Sequence, residues 1–329
     1  MNPMKPVVSR VSLKGFVMMV ATTLAIFQPS LERPAQAMDR EAQILLGTLL
    51  FFDPRLSRDN QMSCATCHKP ELAFTDGLPL AKGYNGKTLK RNTPALLHLT
   101  DHSSFFWDGR ASTLEQQDLE PIQNPDEMNQ NLDALVAKLN QIPGYVSQFQ
   151  KLYGTPVTVK GITQAIAAFE RTLISKGAPF DRFLAGQKTA ISPAAQRGIN
   201  LFQDKARCAF CHKGFNFTDS DFHNIGVPSL PGQKEDVGRY AVTRRAEDRG
   251  AFRTPALRNA TQTAPYMHNG IFKTLGEVVE FYNKGGGKNP NLDIQMKPLG
   301  LTAQEKKDLV EFLKTLTGLL PKIVVPSLP

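Results

Sequence analysis

Cys64-Ala-Thr-Cys67-His68 and Cys208-Ala-Phe-Cys211-His212 decide the reading of this chain. C-x-x-C-H is the attachment pattern of c-type haem. Each cysteine adds to one vinyl group as a thioether, and two intervening residues match the vinyl separation. The adjacent histidine then reaches the iron as an axial ligand. The two motifs use every cysteine in the chain. Zinc ribbons place C-x-x-C pairs about 15–20 residues apart, whereas these stand 144 apart. A redox dithiol explains neither the paired motifs nor the histidine after each. Two covalently bound haem c groups are expected, at Cys64, Cys67 and His68 and at Cys208, Cys211 and His212.

Each motif heads a longer repeat. Both continue His-Lys and then Phe-Thr-Asp, at 74–76 and 217–219. Thr93-Pro94-Ala95-Leu96 matches Thr254-Pro255-Ala256-Leu257. At the same offset of 161, Trp107-Asp108-Gly109 stands opposite His268-Asn269-Gly270, and Thr113-Leu114 opposite Thr274-Leu275. Upstream, Gly47…Leu50-Phe51 matches Gly198…Leu201-Phe202. The shared order of these words indicates two homologous units with one haem each.

The N-terminus has the pattern of an export leader. Lys5, Arg10 and Lys14 precede an apolar run, Gly15 to Phe27, and Ala35-Gln36-Ala37 follows. Basic region, apolar region and A-x-A site form a secretory signal, with cleavage expected after Ala37. The apolar run is too short for a spanning helix, which needs about 20 residues. A periplasmic protein without stable membrane insertion is expected. Formal charge falls from +9 to +6 on removal of residues 1–37. The basic residues are dispersed and four haem propionates would offset them, so nucleic acid is a poor partner. With 41% hydrophobic and 21% charged residues among 329, the chain has a globular composition and length for two domains.

Helical signals dominate. Ser192-Pro193 is an N-cap followed by proline at the first helical position. Thr302…Glu305 is a capping box, followed by Leu309, Phe312, Leu313 and Leu316 at helical spacing. Leu132, Leu135, Val136 and Leu139 form one apolar face, and Ile162, Ile166, Phe169 and Leu173 another. Long loops are expected over 76–94 and 219–253. The expected fold is mainly α: two cytochrome c-like haem domains from a tandem duplication, with long loops and few strands. The divisions are 1–37 (leader), 38–182 and 183–329.

In order, the chain carries C-A-T-C-H-K (64–69), R-N-T-P (91–94), F-F-W-D-G-R (105–110), Leu114-Glu115-Gln116-Gln117 and N-P-D-E-M (124–128). The second C-x-x-C-H follows, then F-R-T-P-A-L-R-N (252–259), P-Y-M-H-N-G (265–270) and F-Y-N-K-G-G (281–286). Over nearly all of residues 40–318 this resembles the bacterial di-haem cytochrome c peroxidase and MauG family. The resemblance implies a peroxidatic N-terminal haem and an electron-transferring C-terminal haem. It implies Trp107 as the bridge between them, Glu127 as the distal acid–base group and Gln117 as its neutral neighbour. It also implies a calcium ion held by Asn92 and backbone carbonyls around Arg253, Thr254 and Pro255; oxygen donors suit Ca²⁺.

Two departures from the peroxidase pattern stand out. Tyr84 occupies the place of the distal histidine of reductively activated members, and a phenol ligates ferrous haem poorly. Tyr282 occupies the place of the axial methionine, as in MauG. A tyrosine ligand lowers the potential whereas methionine raises it. Met296 in the following loop is the rival ligand. His268 is expected near this haem without binding iron, and His98, His102 and His223 as loop or surface residues.

The leading function is peroxidase chemistry, in which H₂O₂, two electrons and two protons give two waters. The electrons would come from a small donor, a cytochrome c or cupredoxin, and an acidic one suits the basic chain. The alternatives are a MauG-like oxidase that modifies a partner protein and a plain di-haem electron carrier. A homodimer is compatible with any of these.

Overall fold

A computed structural model describes the backbone of residues 32–329 and the side chains from Asp39 on, Asp101 excepted. The leader expected over 1–37 lies outside the described residues, apart from the backbone of its last six.

The first half runs α1 (Glu32–Phe52), α2 (Cys64–Cys67), α3 (Leu114–Gln123), α4 (Leu132–Leu139), α5 (Pro143–Tyr153) and α6 (Val159–Glu170). The second runs α7 (Pro179–Leu184), α8 (Pro193–Gln203), α9 (Tyr240–Thr243), α10 (Leu275–Asn283) and α11 (Ala303–Thr315). Side chains cap most of the longer helices. Thr113, Asn131, Thr158 and Ser192 each accept from the backbone N–H three residues on. Thr274 and Thr302 form full capping boxes with Glu277 and Glu305. The expected long loops are present. Among the described residues the only named strands are β1 (Phe222–His223) and β2 (Phe252–Arg253), an antiparallel pair. No described helix is long and apolar enough to cross a membrane.

The duplication reappears as a duplicated helix crossing. α1 crosses α6 at Gly47, where a Cβ would stand 1.9 Å from the Ala165 carbonyl oxygen. α8 crosses α11 at Gly198, where a Cβ would stand 2.2 Å from the Asp308 carbonyl oxygen. Four residues after each glycine a phenylalanine meets a partner ring, Phe51 on Phe169 and Phe202 on Phe312, each at 5.0 Å. Leu50, Ile166 and Leu173 join the first core; Leu309, Leu313 and Leu316 join the second. The apolar faces expected on α4, α6 and α11 are the ones buried.

The expected division at 182/183 falls inside α7, whose Phe180 lies 5.6 Å from Phe217 and 5.4 Å from Phe312, against the second core. The tail also departs from its unit. Lys176 and Leu319 exchange backbone hydrogen bonds of 3.1 and 2.8 Å, and Leu320 and Ile323 then pack on the first core. Apolar side chains, rather than chain order, decide where each segment lies. A polar relay ties the units together. His98 Nε2 lies 2.9 Å from Ser175 Oγ, which donates to Asn259 Oδ1 at 2.6 Å. His98 is thus buried rather than a surface residue.

Gly47→Ala and Gly198→Ala test the crossings. Alanine favours a helix by about 1 kcal/mol over glycine, but overpacking costs about 1–3 kcal/mol. Here the new methyl meets backbone that cannot rotate away, so the second effect wins. Each variant is expected to lower the denaturant midpoint at unchanged m-value. An unchanged or higher midpoint would show that the helices part freely.

Candidate haem sites and the segments around Trp107

Both histidines are built the same way. Their backbone N–H groups donate to the carbonyls of Cys64 and Cys208 at 2.9 Å. His68 Nδ1 lies 2.9 Å from the Phe74 carbonyl oxygen and His212 Nδ1 2.9 Å from that of Phe217. Phe74 and Phe217 hold φ of +61° and +55°. The left-handed region costs a side-chain-bearing residue roughly 1–2 kcal/mol, so both turns are held by their surroundings. With Nδ1 donating, Nε2 keeps its lone pair. Burial lowers the pKa of both imidazoles, only partly opposed by the phenylalanine carbonyls. A neutral, oriented imidazole is the form that binds iron.

No disulfide joins the four cysteines. Burial raises Cys64 well above its ordinary value, Cys67 to about 11 and Cys208 to about 12. Cys64, Cys67 and Cys208 are therefore held neutral, as sulfurs facing a macrocycle would be. Beside Cys208, Cys211 and His212 lies a cavity walled by Phe202, Leu275, Val279, Leu309 and Leu313. Tyr282 and Met296 both line it. Burial, then the Cys208 and Cys211 sulfurs, pushes the Tyr282 pKa far up. The residue is partly buried, and its hydroxyl makes no hydrogen bond to any described residue. Met296 instead turns its methyl to Gly286, where a Cβ would stand 2.8 Å away. An apolar cavity with two thiols, a neutral imidazole and an unpartnered phenol fits a covalent haem.

The segments between the motifs converge on Trp107. Its Nε1 donates to the Asn92 carbonyl at 2.9 Å, and its own carbonyl accepts from Arg253 N–H at 2.8 Å. The Asn92 N–H donates to the His268 carbonyl at 2.7 Å. Asn92 Nδ2 is held by the Leu78 carbonyl at 2.7 Å, which turns Oδ1 the other way. The Thr254 carbonyl already accepts from the Thr218 hydroxyl at 2.7 Å. Arg253 is expected to contribute its carbonyl, yet its side chain is the more unusual feature. The guanidinium reaches the Phe106 carbonyl at 3.3 Å and His102 Nδ1 at 2.9 Å. It forms no ion pair with a described residue, and burial pushes its pKa down to about 10. A buried cation without an anion is costly. Arg253 lines the same cavity, so a haem propionate would complete it. Burial, then Arg253, pushes His102 to about 3.

On the Cys67 side lies the loop of Glu127. Asn124 Nδ2 donates to Glu127 Oε1 at 3.1 Å. Burial raises the Glu127 pKa against the pull of Arg110. The Glu127 charge in turn helps raise the Cys67 pKa, which places the two near each other. The Tyr84 N–H donates to the Asp126 carbonyl at 3.1 Å, so the tyrosine's loop packs on the glutamate's. Gln117 stands on α3 one turn before Glu120, and its side chain makes no hydrogen bond to a described residue.

His268 stacks on Phe252 at 3.7 Å and 10°, and burial pushes it to about 4. His223 differs from its expected place. Its Nε2 lies 3.1 Å from Asp219 and its Nδ1 2.6 Å from Asp293, on the cavity wall. Cys211, Asp219 and His223 form the metal-like grouping found among the described residues. It shares Cys211 with the haem motif. The Asp293 contact also anchors the loop of Met296, whose N–H donates to the Asp293 carbonyl at 2.9 Å. Spacing could not show this, because 70 residues separate His223 from Asp293.

Comparison with known proteins agrees with this architecture. The family model described as di-haem cytochrome c peroxidase (CCP_MauG) matches residues 41–189, and that of cytochrome c matches 195–317. Methylamine utilization protein MauG of Methylorubrum extorquens is 44% identical over 289 residues, 87% of this chain and 81% of that protein. Cytochrome-c peroxidase IdrP2 of Denitromonas iodatirespirans is 36% identical over 311 residues, 86% of this chain and 84% of that protein. A crystal structure of a MauG-like protein associated with microbial copper homeostasis superposes with a TM-score of 0.78 at 33% identity. It covers 84% of this chain and 90% of that one. With two haem-binding histidine motifs on duplicated helical units, the chain belongs to the di-haem cytochrome c peroxidase and MauG family.

Proposed function

We propose that this protein is an exported, periplasmic di-haem peroxidase that reduces H₂O₂ to water with electrons from a small cytochrome c or cupredoxin. The observation that carries the proposal is the half-buried Glu127 carboxyl on the Cys67 side. Cys64 and Cys67 would hold the first haem with His68 on its iron. Cys208, Cys211 and His212 would hold the second, with Tyr282 preferred to Met296 as its other ligand. When bound, the first haem supplies an iron at which the O–O bond accepts two electrons.

The protein's part is proton handling, orientation and electron transfer. Glu127 takes a proton from the oxygen nearer the iron and returns it to the departing one. Gln117 orients the peroxide without competing for that proton. Trp107, hydrogen-bonded at both its indole and its carbonyl, is the relay between the units. Arg253 neutralises a propionate. Asn92 Oδ1 with carbonyls of Arg253, Thr254 and Pro255 offers neutral oxygen donors for Ca²⁺ beside that relay.

A MauG-like oxidase that acts on a partner protein is the second reading. The unpartnered Tyr282 hydroxyl favours it, because tyrosine ligation lowers the potential of the second haem. Rapid oxidation of a reduced small cytochrome by H₂O₂ supports the peroxidase. Slow donor turnover with oxidation of a partner protein supports the second reading.

Pyridine haemochrome assay with intact mass is expected to find two thioether-linked haems per chain, and one haem would refute the two-site reading. Tyr282→Phe is expected to change the low-spin haem spectrum and raise that haem's potential, because tyrosine ligation lowers it, while Met296→Leu leaves both unchanged. The reverse pattern transfers the ligand role to Met296.

Glu127→Gln keeps the shape and removes the base. General acid–base groups contribute about 10²–10⁴-fold, so peroxide turnover is expected to fall by at least about 10²-fold with both haems retained. The pH profile adds a sign. Burial raises the Glu127 pKa, and the base is the charged form. Wild-type turnover is therefore lost as pH falls through that raised pKa, above the range of an exposed glutamate. A turnover for Glu127→Gln equal to wild type would reduce Glu127 to a loop carboxylate.

A further inference from the structure

Next to the first haem motif lies a pair of acids that the proposed chemistry leaves unused. Asp118 on α3 and Glu170 at the end of α6 are 6% and 3% exposed. Helix α3 packs on α6, and the two carboxyls lie close enough for each to shift the pKa of the other. Asp118 Oδ2 and Glu170 Oε2 are both fully buried, and neither has a donor among the described residues. Carboxylates are acceptors only, so a hydrogen bond between two of them requires a proton. Like charges at such a distance in a buried site cannot both persist.

The surroundings support retention of that proton. Burial, then the Glu170 charge, raises the Asp118 pKa, and burial raises Glu170 to about 8 against the pull of Arg171. From α3, Glu115 also faces the pair and pushes the same way. Arg171 Nη1 meets Glu115 Oε1 at 2.8 Å, and both are partly exposed. From α2 the facing group is Cys64, whose pKa is raised by burial and then by Glu170 and Asp118. The field of the acids therefore falls on the sulfur that would carry the first haem.

We propose that Asp118 and Glu170 share one proton and that the pair exchanges a proton with solvent as the haem at Cys64 changes redox state. The proposal rests on the reading that Cys64 carries that haem. On reduction, one electron from the donor enters the haem, and its added negative charge draws a second proton from water onto the pair. On oxidation, the electron leaves to peroxide and that second proton returns to water, while the shared one stays. Peroxide reduction consumes protons and electrons in equal number, so a proton store beside the peroxidatic site keeps its charge nearly constant through the cycle.

The test uses the holoprotein. Intact mass first establishes haem at Cys64, and its absence overturns both this inference and the proposed function. Midpoint potentials of the two haems are then followed against pH in wild type and in Asp118→Asn/Glu170→Gln. Amides preserve shape and a hydrogen bond between the two positions while removing both titrating groups. One haem's potential is expected to fall with rising pH in wild type, and that part of the slope to vanish in the double variant. The other haem is expected to be unchanged. Superimposable curves overturn proton sharing while leaving the peroxidase reading intact. A second measurement needs no variant to fold. The redox-difference infrared spectrum of wild type is expected to show a protonated carboxyl band that changes with reduction, and no such band overturns the proposal.

Discussion

Each histidine of the two C-x-x-C-H motifs is tied through Nδ1 to the carbonyl of a phenylalanine in the left-handed region, and the surroundings of each ring follow from that tie. The turn at Phe74 or Phe217 would not hold alone, because the conformation is unfavourable for a residue with a side chain. It is held by packing: Phe74 is wholly buried, and Phe217 lies among the rings of Phe180, Phe202 and Phe312. The core thus determines where the carbonyl points, the carbonyl determines the tautomer, and the tautomer leaves Nε2 as a ligand atom. The backbones of Pro94 and Pro255 lie against the same two rings.

The two helix crossings serve the same end. Glycine at the crossing lets the backbones approach more closely than any side chain would permit, and a phenylalanine one turn later fills the space beside it. One pair of crossed helices then supports each haem motif. Between the units, Trp107 draws Asn92, Arg253 and His268 to one place through backbone hydrogen bonds. The long loops are consequently ordered at their ends, where Asn92, Arg253 and His268 lie, although they contain little regular structure.

Helix starts were legible because capping is local: Ser192-Pro193 and Thr302…Glu305 act where they stand in the sequence. Apolar faces were legible because period alone decides which side is buried. The histidines outside the motifs were not. His98 is buried against Ser175, and His223 sits between Asp219 and Asp293, because in each case the partner lies far along the chain. The Arg253 side chain was overlooked for the same reason. Nothing in its neighbours in sequence shows that no carboxylate will meet it.

By itself, then, the sequence determined the covalent chemistry, the duplication and the helical character, since each depends on residue type and short spacing. Tertiary structure decided the rest. It assigned α7 to the second core and returned the tail to the first, because apolar surface is buried wherever it finds a partner. It brought Asp118 against Glu170 across 52 residues of chain, where burial turns two ordinary acids into a site that requires a proton. Charge state depends on desolvation and on neighbours in space, and neither is written in the order of the residues.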